Sequence, residues 1–382
     1  MIKVNADSIR SAFDENFASR GEIGASVSIW QTGREVVTLA GGFCERDRAR
    51  AWTADTPALN WSATKGAASA CVLHALDAAG IGLDEAVAEW WPEFAQAGKG
   101  SVTIAQLLSH RAGLSGLNAK VSVLDYDAVV AALAAQGPLW PPGQGHGYHT
   151  RTFGFLEDEL LRRTQPPGVT LGRYWREHFA GPLGLDVWIG LPDELHSRVA
   201  TTYPARTSSN DPTAPDPLYV ALAEPDSLAR LSFASPTGLH SVASMMTAEA
   251  RRAELPAFGG IGTARGLAKI YAALAVPEDA RFSPATRTAM WTPLVSGLDR
   301  VLCTETSFSA GFMLDPRDAL GAKLRQTFGP ALSAFGHPGA GGVHAFADPE
   351  NQIGFAYVMN QLELGVFPNR KALALVEAVY AG

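Results

Sequence analysis

The sequence predicts a mixed α/β fold, with one antiparallel sheet flanked by terminal helices and a mostly helical segment inserted between its halves. Three observations carry this expectation. β-rich runs lie near both ends and are scarce in the middle. Helix-like patterns open and close the chain, and the central third reads as one helix after another. Strands at the two ends are most economically joined in a single sheet. At 382 residues the chain exceeds the usual size of one core. The expected division is a sheet unit from 1–65 and 240–382 and a mainly helical unit from 66–239.

In order along the chain, Ile9, Phe13 and Phe17 recur at helical spacing in "MIKVNADSIRSAFDENF". Two β-rich runs, 25–30 and 35–40, flank "QTGR", which is a hairpin signal. From Ala63 to Ala79 the chain is alanine-rich and stops at Gly80, as a helix would. Helical patterns continue over 103–110, 126–137 and 152–164, with the Pro/Gly-rich loop "GPLWPPGQGHGYHT" (137–150) before the last of them. Residues 200–235 are rich in Pro, Ser, Thr and Asp and read as a long surface excursion. Helices resume near 240 and at 263–275. Segments 308–314, 331–349 and 352–360 are β-rich, and a final helix spans 369–380.

Bulk properties exclude several classes. Hydrophobic residues make up 47%, too many for a disordered chain. A net charge of −7 leaves no basic footprint for nucleic acid or for an anionic membrane surface. No apolar run approaches a membrane span, and the N-terminus lacks an apolar signal core. A soluble cytoplasmic protein is expected. Cys44, Cys71 and Cys303 are few and widely spaced, so reduced thiols are expected rather than a disulfide framework or zinc cluster.

The chemistry is sought at "LNWSATKGAA" (59–68). With 24 serines and 7 lysines, about half of one Ser-x-x-Lys would arise by chance, so the spacing alone is weak. Context strengthens it. If Ser62 opens a helix, Lys65 lies one turn on and projects from the same face. A helix start also offers unpaired N–H groups to a developing oxyanion. Ser62 acting only as a helix cap would leave unexplained a lysine in an otherwise alanine-rich, buried helix. Other chemistries lack their motifs. "GLSGL" (113–117), around Ser115, has leucine where a Gly-x-Ser-x-Gly elbow needs its last glycine. No phosphate-binding glycine motif occurs. His146 and His149 lack a third metal ligand at any recognised spacing.

These residues resemble the serine β-lactamase and penicillin-binding-protein superfamily, in the style of the class C β-lactamase-like esterases called family VIII carboxylesterases. "SATK" (62–65) matches the Ser-x-x-Lys motif, "YHT" (148–150) matches the Tyr-x-Asn tripeptide, and "HPG" (337–339) stands in the place of Lys-Thr-Gly. "IAQLLSHRAGL", "GPLGLD" and "IGTARGLAKIYAAL" are similar to the family's helical signatures, and the likeness runs from about residue 20 to 380. It implies a β-lactamase-like fold with the site in a cleft between the sheet and the helices. It also implies acyl transfer through Ser62, with Lys65 and Tyr148 sharing acid–base work and the backbone N–H groups of Ser62 and Ala340 as oxyanion hole. His337, Gly339 and Thr150 are the implied substrate-binding positions, and no cofactor or metal is needed.

Two departures shape the expected substrate. Thr150 replaces the asparagine, and His337 replaces the lysine that would hold a substrate carboxylate. The expectation is therefore a carboxylesterase for short-chain neutral esters. A β-lactamase or D-Ala-D-Ala peptidase and an acyltransferase share the same residues and stay open. A non-enzymatic sensor or scaffold fits less well with both Ser62 and Lys65 present.

Overall fold

The computed structural model describes residues 1–205, 216–276 and 280–381. Its strands, in chain order, are β1 (Gly24–Gln31), β2 (Arg34–Gly42), β3 (Ala58–Leu59), β4 (Val187–Trp188), β5 (Ile261–Gly262), β6 (Val295–Leu298), β7 (Glu305–Phe308), β8 (Met313–Leu314), β9 (Phe335–Pro338), β10 (His344–Asp348) and β11 (Ile353–Met359). Eight of them form one antiparallel sheet in the order β2-β1-β11-β10-β9-β8-β7-β6, and β3, β5 and β4 form a small second ladder. The two ends of the chain meet where β1 pairs with β11, Ala25 opposite Met359 and Gln31 opposite Ile353. The expected mixed α/β architecture, with one antiparallel sheet assembled from both ends, is the one the chain adopts.

Helices cover both faces of the sheet. Gly354 lies against the Ala264–Ala275 helix, where a Cβ would fall 2.2 Å from the Ala268 carbonyl oxygen. Tyr357 stands three residues on and so points to the other face. There its hydroxyl bonds to Glu22, just past the N-terminal helix Ala6–Ala18. Lys371, on the C-terminal helix Arg370–Tyr380, sits 3.1 Å from the same carboxylate. Ile9 and Phe13 are buried, as their spacing predicts, and Phe17 packs half-buried beside them.

The Thr64–Ala79 helix is the hub of the site. Its small side chains let it be enclosed on all sides, and every residue from Thr64 to Leu73 is buried. It packs on the Phe153–Thr164 helix and against β9. It ends at Gly80, whose φ of 69° is the left-handed conformation that glycine adopts at least cost.

Several segments differ from the sequence expectation. The 200–235 stretch is not simply an irregular excursion. It contains helices at Pro217–Ala223 and Leu228–Ala234, and Ser232 is fully buried. Each helix opens on a side-chain cap, Asp216 and Ser227, which a reading of apolar period overlooks. Residues 206–215 of that stretch lie outside the described residues. The 308–314 segment is two strands, β7 and β8, joined by a tight corner at Ser309–Phe312. "GAGG" (339–342) is not a strand but carries a tight 3-10 turn over Ala340–Gly342 after β9. Among the described residues no helix is long and apolar enough to cross a membrane. Cys44 and Cys71 are buried, and neither they nor Cys303 forms a disulfide.

Candidate active site

Ser62 sits in a single 3-10 turn, Trp61–Ala63, that runs straight into the Thr64–Ala79 helix. Trp61 holds a left-handed φ of 49°, which is strained for a residue with a side chain. Neighbouring bonds fix it. The Asn60 N–H donates to the Gly260 carbonyl at 2.8 Å, and the Thr64 hydroxyl donates to the Trp61 carbonyl at 2.6 Å. Ser62 makes no capping bond, so the capping role is not the one it plays here. Its Oγ lies 3.4 Å from Lys65 Nζ.

Lys65 is wholly buried. Its Nζ donates to the Thr150 carbonyl at 2.9 Å and to the Ala257 carbonyl at 2.8 Å. The third direction of the tetrahedral nitrogen faces Ser62. Burial is the main cause that lowers the Lys65 pKa to about 7; Glu157 opposes it and Arg151 adds to it. Near neutrality the amine and the ammonium therefore coexist. In the amine the two carbonyls hold both N–H groups, and the lone pair is left for the Ser62 hydroxyl.

Tyr148 closes the other side. Lys65 Nζ is 4.8 Å from the centre of its ring, and its hydroxyl is 3.3 Å from His337 Nε2. His337 Nδ1 lies 2.8 Å from the Pro338 carbonyl, an acceptor only, so Nδ1 carries the hydrogen and Nε2 accepts from Tyr148. Burial, followed by the charge of Lys65, lowers the His337 pKa to about 3, and the imidazole is neutral. Burial also raises the Tyr148 phenol well above its ordinary value, with the Ser62 hydroxyl pulling the other way. The backbone around Tyr148 is clamped from two sides. Its N–H donates to Asp299 at 3.0 Å, and its carbonyl accepts from the Ser232 hydroxyl at 2.9 Å. Ser232 also accepts the Thr150 N–H at 3.2 Å. Neither Asp299 nor Ser232 was singled out from the sequence, because their partners lie 151 and 84 residues away.

Gly339 brings the sheet to the nucleophile. A Cβ there would fall 2.4 Å from the Asn60 carbonyl oxygen and 3.3 Å from the Trp61 Cβ, so only glycine allows this approach. Gly339 thus abuts the nucleophile turn and is not among the residues lining the cavity. Ser62, Tyr148, Thr150, His337 and Ala340 do line a common cavity of about 240 Å³. Much of its remaining wall is apolar, with Phe233, Phe258 and Met313. Lys65 lies beneath Ser62, out of the lining.

The other sequence candidates lie elsewhere or are engaged. Ser115 is fully buried away from the cavity. His149 commits both nitrogens to the backbone, Nδ1 donating to the Gly147 carbonyl at 2.7 Å and Nε2 accepting from the Leu114 N–H at 2.9 Å. His146 contacts the Thr306 hydroxyl at 2.7 Å.

Comparison with known proteins places the chain as a whole. The family model described as beta-lactamase matches residues 9–380. The chain is 30% identical over 375 residues to the Esterase/beta-lactamase LipL of Mycobacterium tuberculosis, covering 92% of this chain and 80% of that one. It superposes on a crystal structure of a family VIII carboxylesterase with a TM-score of 0.86 at 34% identity, covering 99% of each. A penicillin-binding protein homolog from Caulobacter crescentus gives 0.84 at 38% identity, covering 98% of this chain and 96% of that one. By the match across its length and the esterases among its relatives, the chain belongs to the beta-lactamase family and is a serine hydrolase.

Proposed function

We propose that the protein is a carboxylesterase that hydrolyses short-chain esters through an acyl-enzyme on Ser62. The observation that carries this reading is the neutral-capable Lys65, whose two N–H groups are taken by the Thr150 and Ala257 carbonyls and whose third direction faces Ser62 Oγ. Lys65 takes the hydroxyl proton as Oγ attacks the ester carbonyl. The backbone N–H groups of Ser62 and Ala340 receive the oxyanion. Tyr148 gives its proton to the departing alkoxide and regains one from the Lys65 ammonium. Water then attacks the acyl-enzyme, its proton passing to the same pair, and the acid leaves with Ser62 restored. A pKa of about 7 suits Lys65 as the base, whereas the elevated Tyr148 phenol stays protonated and serves as the donor.

Two features support the substrate class. The cavity of about 240 Å³ is below the range of roughly 300–1,000 Å³ that suits drug-sized ligands. Short groups are favoured accordingly. At the third motif the neutral His337 offers no fixed charge, which favours an uncharged group at that wall over the carboxylate of a β-lactam.

The test is covalent. Intact-protein mass spectrometry with a slowly released ester is expected to place one acyl group on Ser62, and Ser62→Ala is expected to abolish both adduct and turnover while the fold is retained. An adduct on any other serine would overturn the proposal.

A further inference from the structure

Arg151 follows Thr150 directly and lines the same cavity, yet beyond its small contribution to lowering the Lys65 pKa the acyl transfer above gives it no role. It is 6% exposed. Its guanidinium lies 4.8 Å from the centre of the Phe258 ring, and Nη2 donates to the Gly238 carbonyl. Nη1 comes 3.3 Å from Nδ1 of His240, another residue of the cavity wall. His240 Nε2 accepts the Gly238 N–H at 3.0 Å. A neutral imidazole has one accepting nitrogen, so Nδ1 must carry the proton. Arg151 Nη1 and His240 Nδ1 therefore turn hydrogens toward each other, and neither can accept. Arg151 Nε is buried with no partner. Among the described residues no carboxylate pairs with this guanidinium, and burial lowers its pKa to about 10. A buried cation without a counter-ion is costly, and turning its Nη1 toward another N–H adds to the cost, while His240 itself is exposed.

An anionic oxygen pair between Arg151 and His240 would remove both deficits. We propose that these two side chains form a carboxylate-binding subsite in the catalytic cavity, and that the preferred substrates are monoesters of short dicarboxylic acids. The inference rests on the Ser62 acyl-transfer reading. With Tyr148 assigned to the leaving alcohol by that reading, the acyl portion is assigned to the Arg151 side of the cavity. A few methylenes suit the apolar wall of Phe233, Leu239 and Phe258, and the terminal carboxylate meets the guanidinium. The wall at His337 stays neutral. The expectation of neutral esters was drawn from positions 150 and 337 and did not register the charge one residue beyond Thr150.

The experiment compares mono-4-nitrophenyl succinate, glutarate and adipate with neutral 4-nitrophenyl esters of matched chain length. For the best-fitting chain, kcat/KM is expected to favour the charged ester at least tenfold in the wild type. Arg151→Gln is expected to lower that charged-to-neutral ratio tenfold or more, chiefly through KM, and His240→Gln to lower it less. Since Arg151 also ties Gly238, its variant can fail to fold; the wild-type ratio and the His240 variant then decide. Calorimetry with glutarate, the product of one of these esters, tests the subsite without turnover. Arg151-dependent glutarate binding with no hydrolysis of either series would overturn the esterase reading and leave the subsite standing. Equal rates for charged and neutral esters in the wild type, or a ratio unmoved in a folded Arg151→Gln protein, would overturn the subsite.

Discussion

Lowering the pH should silence the enzyme by protonating Lys65, and the structure sets where this happens. The Lys65 pKa falls from 10.5 to about 7 chiefly through burial. At roughly 1.4 kcal/mol per unit, that depression corresponds to about 5 kcal/mol of preference for the amine. For a group with a pKa of about 7, the amine fraction is about one tenth at pH 6 and about nine tenths at pH 8. kcat/KM for a 4-nitrophenyl ester is therefore expected to rise about tenfold between pH 6 and 8 and then level off. With an ordinary lysine it would rise about a hundredfold over the same interval and keep rising. The buried histidines do not blur this window, because burial holds His337 at about 3, His149 at about 4 and His110 well below its usual value. The assay is initial-rate hydrolysis read at the isosbestic wavelength of the nitrophenol, so that the product's own titration drops out. A half-maximum above pH 9 would refute the claim that burial has prepared Lys65 as the base.

Other expectations follow from the same geometry. Tyr148→Phe and Lys65→Ala should each lower kcat by about 10²–10⁴-fold or more, and the double variant should be little worse than the poorer single one, because a shared relay is lost once; multiplicative losses in kcat would show two independent roles. Gly339→Ala would push a methyl group to 2.4 Å from the Asn60 carbonyl oxygen, so a loss of about 1–3 kcal/mol in stability is expected together with a fall in kcat. Denaturant melts and steady-state kinetics on that protein check both, and an unaffected kcat would mean that the turn bearing Ser62 absorbs the displacement.

Much of the scaffold was legible in the chain. The hairpin of β1 and β2 announces itself by two β-rich runs around "QTGR", and the 64–79 helix by its alanines and by Gly80. Both are local signals, carried within a dozen or so residues. The small ladder of β3, β5 and β4 was not legible, since two-residue strands have no period to read. At the site, Ser62 and Lys65 are picked out not by their spacing alone but by its context, a helix start followed by a lysine in an alanine-rich, buried helix. Tyr148 and His337 are found only by resemblance, because nothing local to either requires the other. Arg151 and His240 were missed for a different reason. An arginine in a polar loop reads as solvated, and only the folded chain reveals that it is buried facing another donor. Ser232 likewise sat in a stretch read as excursion, and its clamp on Tyr148 exists only in three dimensions.

The hold of the Thr150 and Ala257 carbonyls on Lys65 bears on what the side chain must do during turnover. Lysine is ordinarily among the most mobile side chains, and fixing one costs up to about 2 kcal/mol of rotamer entropy. Here that ordering is completed on folding, by bonds to segments 85 and 192 residues away in sequence. The proton that shuttles through the cycle occupies only the third direction of the nitrogen, so its arrival and departure break neither tether. The base therefore has no conformational search to repeat at each turnover, and the motion left to the reaction is that of the proton and the substrate.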